Sequence, residues 1–221
     1  MQRSSRWRDN TATPEPRRAM SPLLRLTLPL VLLLVACAKG PGKPEGHIPL
    51  PPDAVVLAIG DSITTGHRLP GDQAWPAIVA RETGLSVFNR ARNGATSDEV
   101  LATLEAQLDA FEPALVIATV GGNDFLRRQP LSHTEANLRE MAQTVVGRGA
   151  RFLVLGLAEP QRSEVHPLYA AALAGVPGAF VDRTVLPYVY GKRRLRADPI
   201  HPNAEGHQVI AERVIQWLER D

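Results

Sequence analysis

The alternation of short β-branched apolar runs with longer amphipathic stretches is the feature of this sequence that most limits its possible folds. Four runs have the length and composition of buried parallel strands, at residues 55–59, 86–89, 115–120 and 152–157. Stretches with helical periodicity lie at residues 74–83, 98–110, 133–147 and 204–219. Because parallel strands joined by helices place those helices on the faces of the sheet, the pattern predicts a three-layer α/β/α sandwich with a central parallel sheet.

Two of these helices are preceded by sequences typical of capping boxes. Residues 96–99 read Thr-Ser-Asp-Glu and residues 132–135 read Ser-His-Thr-Glu, so in each a hydroxyl side chain is followed three positions later by a glutamate. The patterns are weaker over residues 162–197, where we expect a helix around 168–174 and a short strand at 179–182.

The first 36 residues have the composition of a secretory leader of the lipoprotein type. Arginines precede an apolar run at residues 26–36, which is too short to span a bilayer as a helix. The run leads into Leu-Val-Ala-Cys, which resembles the lipobox of bacterial lipoproteins, whose cysteine carries diacylglycerol. We therefore expect Cys37 to attach a lipid that holds the protein on a membrane in the periplasm, with Ala38 favouring the outer membrane. Ordinary secretion, an uncleaved anchor and translation from Met20 are alternatives.

The segment after the leader, residues 37–52, is rich in proline and glycine and is expected to form a tether, so the folded domain is predicted at residues 53–221.

The pI of about 9.0 reflects the arginines of the leader, since the remainder carries 19 basic and 21 acidic residues. No basic stripe with interleaved aromatics is present, which argues against a nucleic-acid partner. Cys37 is the only cysteine, so an intrachain disulfide is excluded.

Three residues with useful chemistry each follow a different predicted strand. Ser62 lies in a Gly-Asp-Ser turn after the first, Gly94 in an Asn-Gly-Ala-Thr turn after the second, and Asn123 in a Gly-Gly-Asn-Asp turn after the third. Because the carboxyl ends of parallel strands share one edge of the sheet, we expect these residues to gather there. A serine hydroxyl is a potential nucleophile, while a glycine amide and an asparagine side chain are donors suited to an oxyanion. Each turn taken alone is also a common structural turn.

A fourth motif, near the end of the chain, supplies a base. Asp198 precedes His201 by three residues in a loop stiffened by two prolines. This spacing lets the carboxylate accept from Nδ1 of the imidazole, which leaves the other ring nitrogen to take the Ser62 proton. A metal site made of Asp198, His201 and His207 is an alternative, but no further cluster of acids or histidines completes a zinc site.

Together these segments resemble the conserved blocks of the GDSL, or SGNH, hydrolase family, with Ser62, Gly94, Asn123 and His201 in family order. The resemblance implies the flavodoxin-like SGNH hydrolase fold and a mechanism through an acyl-enzyme that needs no cofactor or metal. It also implies a catalytic triad of Ser62, Asp198 and His201. The oxyanion hole would comprise the backbone amides of Ser62 and Gly94 and the Asn123 side chain.

Three further segments, residues 74–76, 94–97 and 121–127, resemble the bacterial periplasmic arylesterase, thioesterase and lysophospholipase subgroup of that family. We therefore expect a serine esterase that acts on small acyl esters, thioesters or lysophospholipids. Residues 158–163 lack the subgroup's usual Arg-Pro-Asn-Tyr pattern, so the sequence does not predict a preferred acyl length. Two alternatives stay open: an O-acetyl esterase or acetyltransferase acting on cell-wall or exported glycans, and a non-catalytic lipoprotein that binds lipid or glycan.

Several other residues invite a functional interpretation. The basic residues at positions 192–196 are expected to form a solvated surface loop, with a contact to an anionic head group as the alternative. Trp75 is expected in the core or in a pocket wall. Three histidines without an evident partner are interpreted as surface residues: His67, His133 and His166.

Overall fold

A computed structural model of the 221-residue chain describes residues 40–158 and 163–218. Five strands form one sheet in the order β2-β1-β3-β4-β5, and every neighbouring pair is parallel. The strands are β1 (Val55–Gly60), β2 (Ser86–Asn89), β3 (Leu115–Thr119), β4 (Arg151–Leu155) and β5 (Ala179–Asp182). The central parallel sheet predicted from the alternating pattern is thereby confirmed.

Helices flank the sheet on both faces. They are α1 (Ser62–Thr65), α2 (Trp75–Thr83), α3 (Ser97–Phe111), α4 (Gly122–Leu126), α5 (Leu131–Gly147), α6 (Leu168–Leu173), α7 (Val185–Tyr190) and α8 (Ala204–Leu218). The chain crosses from β1 to β2 in one direction and from β2 to β3, β4 and β5 in the other. Because such crossovers are right-handed, this reversal puts α2 in one layer, where it packs against α8, and α3, α5 and α6 in the other.

The reversal of direction creates a crevice between β1 and β3. These strands are neighbours, and Gly60 at the end of β1 pairs with Thr119 at the end of β3. The chain leaves β1 towards one layer of helices and leaves β3 towards the other, so no connection covers the gap between the two strand ends. Ligands of open α/β sheets bind at such a switch point, and at this edge Ser62 and Asn123 lie in the first turns of α1 and α4.

The central strands form the core. Side chains such as Leu57, Ile117 and Phe152 are 0% exposed, and each contributes about 1.5–3 kcal/mol through burial. Trp75 at the start of α2 is also fully buried, which agrees with the core interpretation.

The segment before β1 has no regular secondary structure over residues 40–52, but part of it is packed. Ile48 and Leu50 are buried, and the Ile48 N–H donates to the carbonyl of Trp217 at 2.7 Å. The packed part of the domain therefore starts before Asp53, because two apolar side chains in the proline-rich segment bury surface against it. Cys37 and the predicted leader lie outside the described residues. Within the described ranges, no helix is long and apolar enough to cross a membrane.

The two predicted capping boxes differ in outcome. At α3 the box is present, since Thr96 accepts from the Glu99 N–H and the Glu99 carboxylate accepts from the Thr96 N–H. The box at residues 132–135 is wrong, because α5 begins at Leu131 directly after Pro130. Pro130, with φ −58°, is the N-cap, and the Glu135 carboxylate pairs with Arg139 at 3.4 Å instead of the backbone of residue 132.

Candidate active site

The end of β1 positions Ser62 at the crevice. Gly60 has φ 126°, and a Cβ there would lie 2.0 Å from the carbonyl oxygen of Thr119, so only glycine fits between the two strands. The turn then starts α1, and the Asp61 carboxylate caps it by accepting from the Ile63 N–H at 3.0 Å. Ser62 is the first residue of this helix, so its hydroxyl stands at the mouth of the crevice.

The structure brings the three proposed triad residues together. Nε2 of His201 lies 3.1 Å from Oγ of Ser62, and Nδ1 of His201 lies 2.8 Å from Oδ2 of Asp198. Ser62 and His201 are 139 positions apart in the sequence, so the fold creates this contact. These distances are those of a hydrogen-bonded triad.

Asp198 is oriented by its own loop. Its Oδ1 accepts from the N–H groups of Ile200 and His201, both at 2.9 Å, which leaves Oδ2 for the imidazole. Desolvation raises the pKa of the Asp198 carboxyl, but hydrogen bonds from His201 and Ile200 outweigh it and hold that pKa below its ordinary value. The carboxylate therefore stays ionised and able to stabilise a protonated His201.

A short hairpin carries both residues. Arg196 and Pro202 form an antiparallel bridge, and the Ala197 N–H donates to the His201 carbonyl at 2.9 Å. At the tip of the hairpin, the hydroxyl of Tyr190 donates to the Ile200 carbonyl at 2.9 Å. Burial raises the pKa of this hydroxyl, so Tyr190 remains a neutral donor.

The predicted oxyanion donors line the same cavity as Ser62 and His201. Gly94 has φ 76°, the left-handed conformation that glycine adopts readily. Among the described residues, no carbonyl accepts from the backbone N–H of Ser62 or of Gly94. Nδ2 of Asn123 donates to the Ala95 carbonyl at 2.9 Å, which fixes the amide plane and leaves its second N–H for a ligand. Three donors are thus available beside the nucleophile.

Two residues that sequence reasoning missed support these donors. The guanidinium of Arg127 donates to the Gly94 carbonyl at 2.9 Å and so holds the glycine turn against α4. Asp124 is completely buried and accepts from the Ser97 N–H at 3.0 Å, from the Ser97 hydroxyl and from Thr134. It ties the start of α3 to α4 and α5. Their only sequence signal was position, since Asp124 directly follows Asn123 and Arg127 lies one helical turn after it.

Asp61, the residue before the nucleophile, is a third residue that sequence reasoning missed. Its Oδ1 accepts from the Ile63 N–H and from the Thr119 hydroxyl, at 3.0 and 3.3 Å. Burial raises the pKa of its carboxyl to about 6 in spite of these hydrogen bonds. Asp61 thus joins the end of β1 to the end of β3 directly beneath the crevice.

The surroundings of His67 and His207 are ones that the sequence did not indicate, whereas His133 is exposed as expected. His67, expected at the surface, lines the cavity with its ring centroid 4.5 Å from that of His201. His207 is buried, and its Nδ1 accepts from the N–H of Trp75 at 3.2 Å. Burial lowers the pKa of His207 to about 4, which keeps the ring neutral as a cap for α2. His133 pairs with Asp98 at 2.7 Å.

The alternative metal site is not assembled. His201 contacts Asp198 through Nδ1 and Ser62 through Nε2, whereas Nδ1 of His207 accepts from the N–H of Trp75 at the start of helix α2. Across residues 40–158 and 163–218, no three histidine, cysteine or acidic side chains are grouped so as to hold a metal ion.

The cavity is large and mostly apolar. It has a volume of about 830 Å³ and is lined by both Ser62 and His201. Apolar side chains from several elements form its wall: Ile63, Phe125, Leu126, Leu157 and Ile200. Leu126 and Ile200 are 52% and 44% exposed, so the apolar wall continues to the outer rim.

Comparison with known proteins agrees with this architecture. The esterase TesA of Pseudomonas aeruginosa is 34% identical over 177 residues, covering 74% of this chain and 87% of that protein. The thioesterase 1/protease 1/lysophospholipase L1 of Escherichia coli strain K12 is 31% identical over 173 residues, covering 74% and 83%. A crystal structure of TesA superposes with a TM-score of 0.64 at 30% identity, covering 75% of this chain and 98% of that one. Residues 58–209 match the GDSL-like lipase/acylhydrolase family, and the chain belongs to that family.

Proposed function

We propose that the protein is a serine esterase that hydrolyses carboxylic ester or thioester bonds through an acyl-enzyme. The observation that carries this proposal is the continuous hydrogen-bonded series from Asp198 through His201 to Ser62, which ends in the cavity lined by Gly94 and Asn123. A nucleophile, its base, an orienting carboxylate and donors for an anion therefore surround one space.

In the acylation step, Nε2 of His201 accepts the hydroxyl proton while Oγ of Ser62 bonds to the acyl carbon. The carbonyl electrons move to oxygen, and the N–H groups beside Ser62 stabilise that oxyanion. The ionised Asp198 stabilises the imidazolium through Nδ1. When the tetrahedral intermediate collapses, the carbon–oxygen or carbon–sulfur bond breaks and His201 protonates the leaving alcohol or thiol.

Deacylation repeats the step with water as the nucleophile. His201 Nε2 takes a proton from water, and the hydroxide equivalent attacks the acyl carbon bonded to Ser62 Oγ. The same donors stabilise the second oxyanion, after which the acid leaves and Oγ regains its proton from His201.

The cavity favours an acyl group longer than acetyl. Its volume of about 830 Å³ and its apolar wall suit a chain of several carbons, whereas an acetyl group leaves most of this space empty. Relatives described as a thioesterase/lysophospholipase and as an esterase are in keeping with such substrates. We therefore propose small acyl esters, thioesters and lysophospholipids as the substrate class, in preference to O-acetylated glycans.

The test is hydrolysis of a 4-nitrophenyl ester series from acetate to dodecanoate by the purified domain. We expect kcat/KM to rise beyond acetate, and Ser62→Ala to abolish turnover. Ser86→Ala is the matched control, since Ser86 is exposed on strand β2 away from the cavity. Unchanged hydrolysis by Ser62→Ala refutes the proposed nucleophile, and a maximum at acetate favours the O-acetyl esterase.

A non-catalytic binding protein with the same fold is distinguished by labelling. A fluorophosphonate probe bonds covalently to a serine that is activated by a neighbouring base. We expect labelling of the natural protein and of Ser86→Ala, and none of Ser62→Ala or His201→Ala. Absence of labelling in the natural protein refutes the enzymatic proposal.

For its localisation, we propose that the protein is a lipoprotein. A diacylglycerol group on Cys37 would hold it on a membrane in the periplasm, with the outer membrane favoured. The support is the leader and the Leu-Val-Ala-Cys sequence. We expect radioactive palmitate to label the natural protein but not Cys37→Ala, and the natural protein to sediment with membranes. Palmitate labelling that persists in Cys37→Ala refutes this attachment site. An uncleaved anchor would leave the leader on the protein, so the mass of the mature protein distinguishes it from a lipoprotein cleaved before Cys37.

A further inference from the structure

The basic residues at positions 192–196 have different surroundings in the structure. Nζ of Lys192 lies over the ring of Tyr188, 4.7 Å from its centroid, and Arg194 forms an ion pair with Glu205. Arg193 is exposed. Arg196 alone among the four lines the catalytic cavity. The sequence run is therefore not a uniform surface patch.

The backbone fixes Arg196 beside the triad. It lies opposite Pro202 in the antiparallel bridge of the hairpin that carries Asp198 and His201. Residues paired in this way have Cα atoms about 4.5–5.5 Å apart, so Arg196 is a near neighbour of His201 on the adjoining strand. Hydrogen bonds on either side, from Ala197 to His201 and from Asn203 to Leu195, keep the two strands in register.

Arg196 takes part in no ion pair with any of the residues that the structure describes. Among the described residues, no carboxylate lies within 4.0 Å of its guanidinium, and its buried Nε has no hydrogen-bond partner. Asp61 is the one acidic side chain in the described wall of the cavity, and Asp198 on the same hairpin is engaged by Ile200 and His201; neither carboxylate lies within ion-pair distance of Arg196. A partly buried cation without an anion is unfavourable, and a bound anion would relieve this.

We propose that Arg196 binds an anionic group of the substrate, a carboxylate or phosphate, so that the enzyme prefers acyl esters that carry a negative charge. The proposal rests on the esterase function proposed above. The planar guanidinium donates two parallel N–H groups to such oxygens, and the apolar wall around it reduces screening by water. Arg196 is then a specificity-determining residue, while the bond-breaking steps belong to the triad.

Two matched substrate pairs test the proposal and locate the charge. On the acyl side, the 4-nitrophenyl monoester of adipic acid is compared with 4-nitrophenyl hexanoate. On the leaving-group side, octanoylglycerol 3-phosphate is compared with octanoylglycerol, below their aggregation concentrations. For at least one pair, we expect kcat/KM to be higher for the anionic member, and this preference to fall as salt concentration rises.

The variants assign the preference to one side chain. Because a hydrogen bond to a charged group is worth a factor of about 10 to 100, Arg196→Gln is expected to lower the anionic-to-neutral ratio of kcat/KM by about that factor. Arg196→Lys keeps the charge and is expected to lose less. Arg193→Gln removes an exposed charge from the same basic run and is expected to leave the ratio unchanged. An equal fall in Arg193→Gln, or none in Arg196→Gln, refutes the proposal.

A binding measurement separates this proposal from the proposed esterase function. Calorimetric binding of the two octanoyl lipids to Ser62→Ala, with and without Arg196→Gln, requires no turnover. We expect octanoylglycerol 3-phosphate to bind more tightly, and Arg196→Gln to remove the difference. If the natural protein hydrolyses none of the four esters, the esterase function fails while binding still decides the role of Arg196. Thermal unfolding of each variant shows that the comparison is made on folded protein.

Discussion

Replacing Asp61 with asparagine should change how the stability of the protein depends on pH. The carboxyl is 2% exposed, and burial raises its pKa from 3.8 to about 6. Between these two values the folded state holds a proton that the unfolded chain has released. Stability therefore falls as the pH rises through this range, because ionising the group in the folded protein is unfavourable.

The magnitude follows from the two pKa values of Asp61. Their difference corresponds to about 3 kcal/mol of folding free energy, present below pH 3.8 and lost by the time the pH exceeds about 6. Asparagine keeps an oxygen for the Ile63 and Thr119 donors but does not ionise. Because pH 4 already lies just above the lower of the two pKa values, the free energy of unfolding of Asp61→Asn minus that of the natural protein should be larger by about 2 kcal/mol at pH 7.5 than at pH 4.

Urea unfolding followed by circular dichroism measures this difference, with both proteins compared at each pH so that other titrating groups cancel. Asp53→Asn is the control for loss of a carboxylate, since Asp53 is exposed. Its free energy of unfolding is measured at the same two pH values. A free-energy difference between Asp61→Asn and the natural protein that is the same at pH 4 and pH 7.5 refutes the reasoning.

Three further substitutions test the site. Asp198→Asn should lower kcat by about 10⁴-fold, because the amide presents the wrong partner to Nδ1 of the imidazole. Asn123→Ala should lower kcat by about 10²–10³-fold with little change in KM, since the donor acts on the oxyanion; a larger effect on KM than on kcat contradicts this role. Gly60→Ala should prevent stable folding or inactivate the protein, because its Cβ would lie 2.0 Å from the Thr119 carbonyl oxygen; expression yield, thermal unfolding and ester hydrolysis measure this.

The strands and helices were predictable where burial imposes a pattern of apolar residues on the sequence. Strands with continuous β-branched runs and helices with one apolar face have bounds close to those observed, including β5 at residues 179–182. Helix α7 was missed because it is six residues long with a proline at its third position, too short to show a helical period. Helices α1 and α4 were read as turns for the same reason, since they are single turns that follow strand ends.

The residues of the site were predictable when they follow a strand, because strand order alone gathers them at one edge. Ser62, Gly94 and Asn123 have this property, and all three line the cavity. The environment of His67 was not predictable, since the turn at the end of α1 directs its ring to His201. Such contacts depend on loop conformation, on which hydrophobic periodicity carries no information.

The turn that contains Asn123 and Asp124 supplies both a proposed oxyanion donor and a contact that holds neighbouring elements in place. Asn123 reaches the cavity from α4, but Asp124 beside it faces the core and binds Ser97, the first residue of α3. Consecutive positions of one turn thus serve two tasks, because adjacent residues of a helix point in different directions. Arg127, one turn later, returns to the surface and holds Gly94. The spacing of the Gly-Gly-Asn-Asp sequence therefore encodes a donor together with the clamp that keeps the opposing donor loop in place.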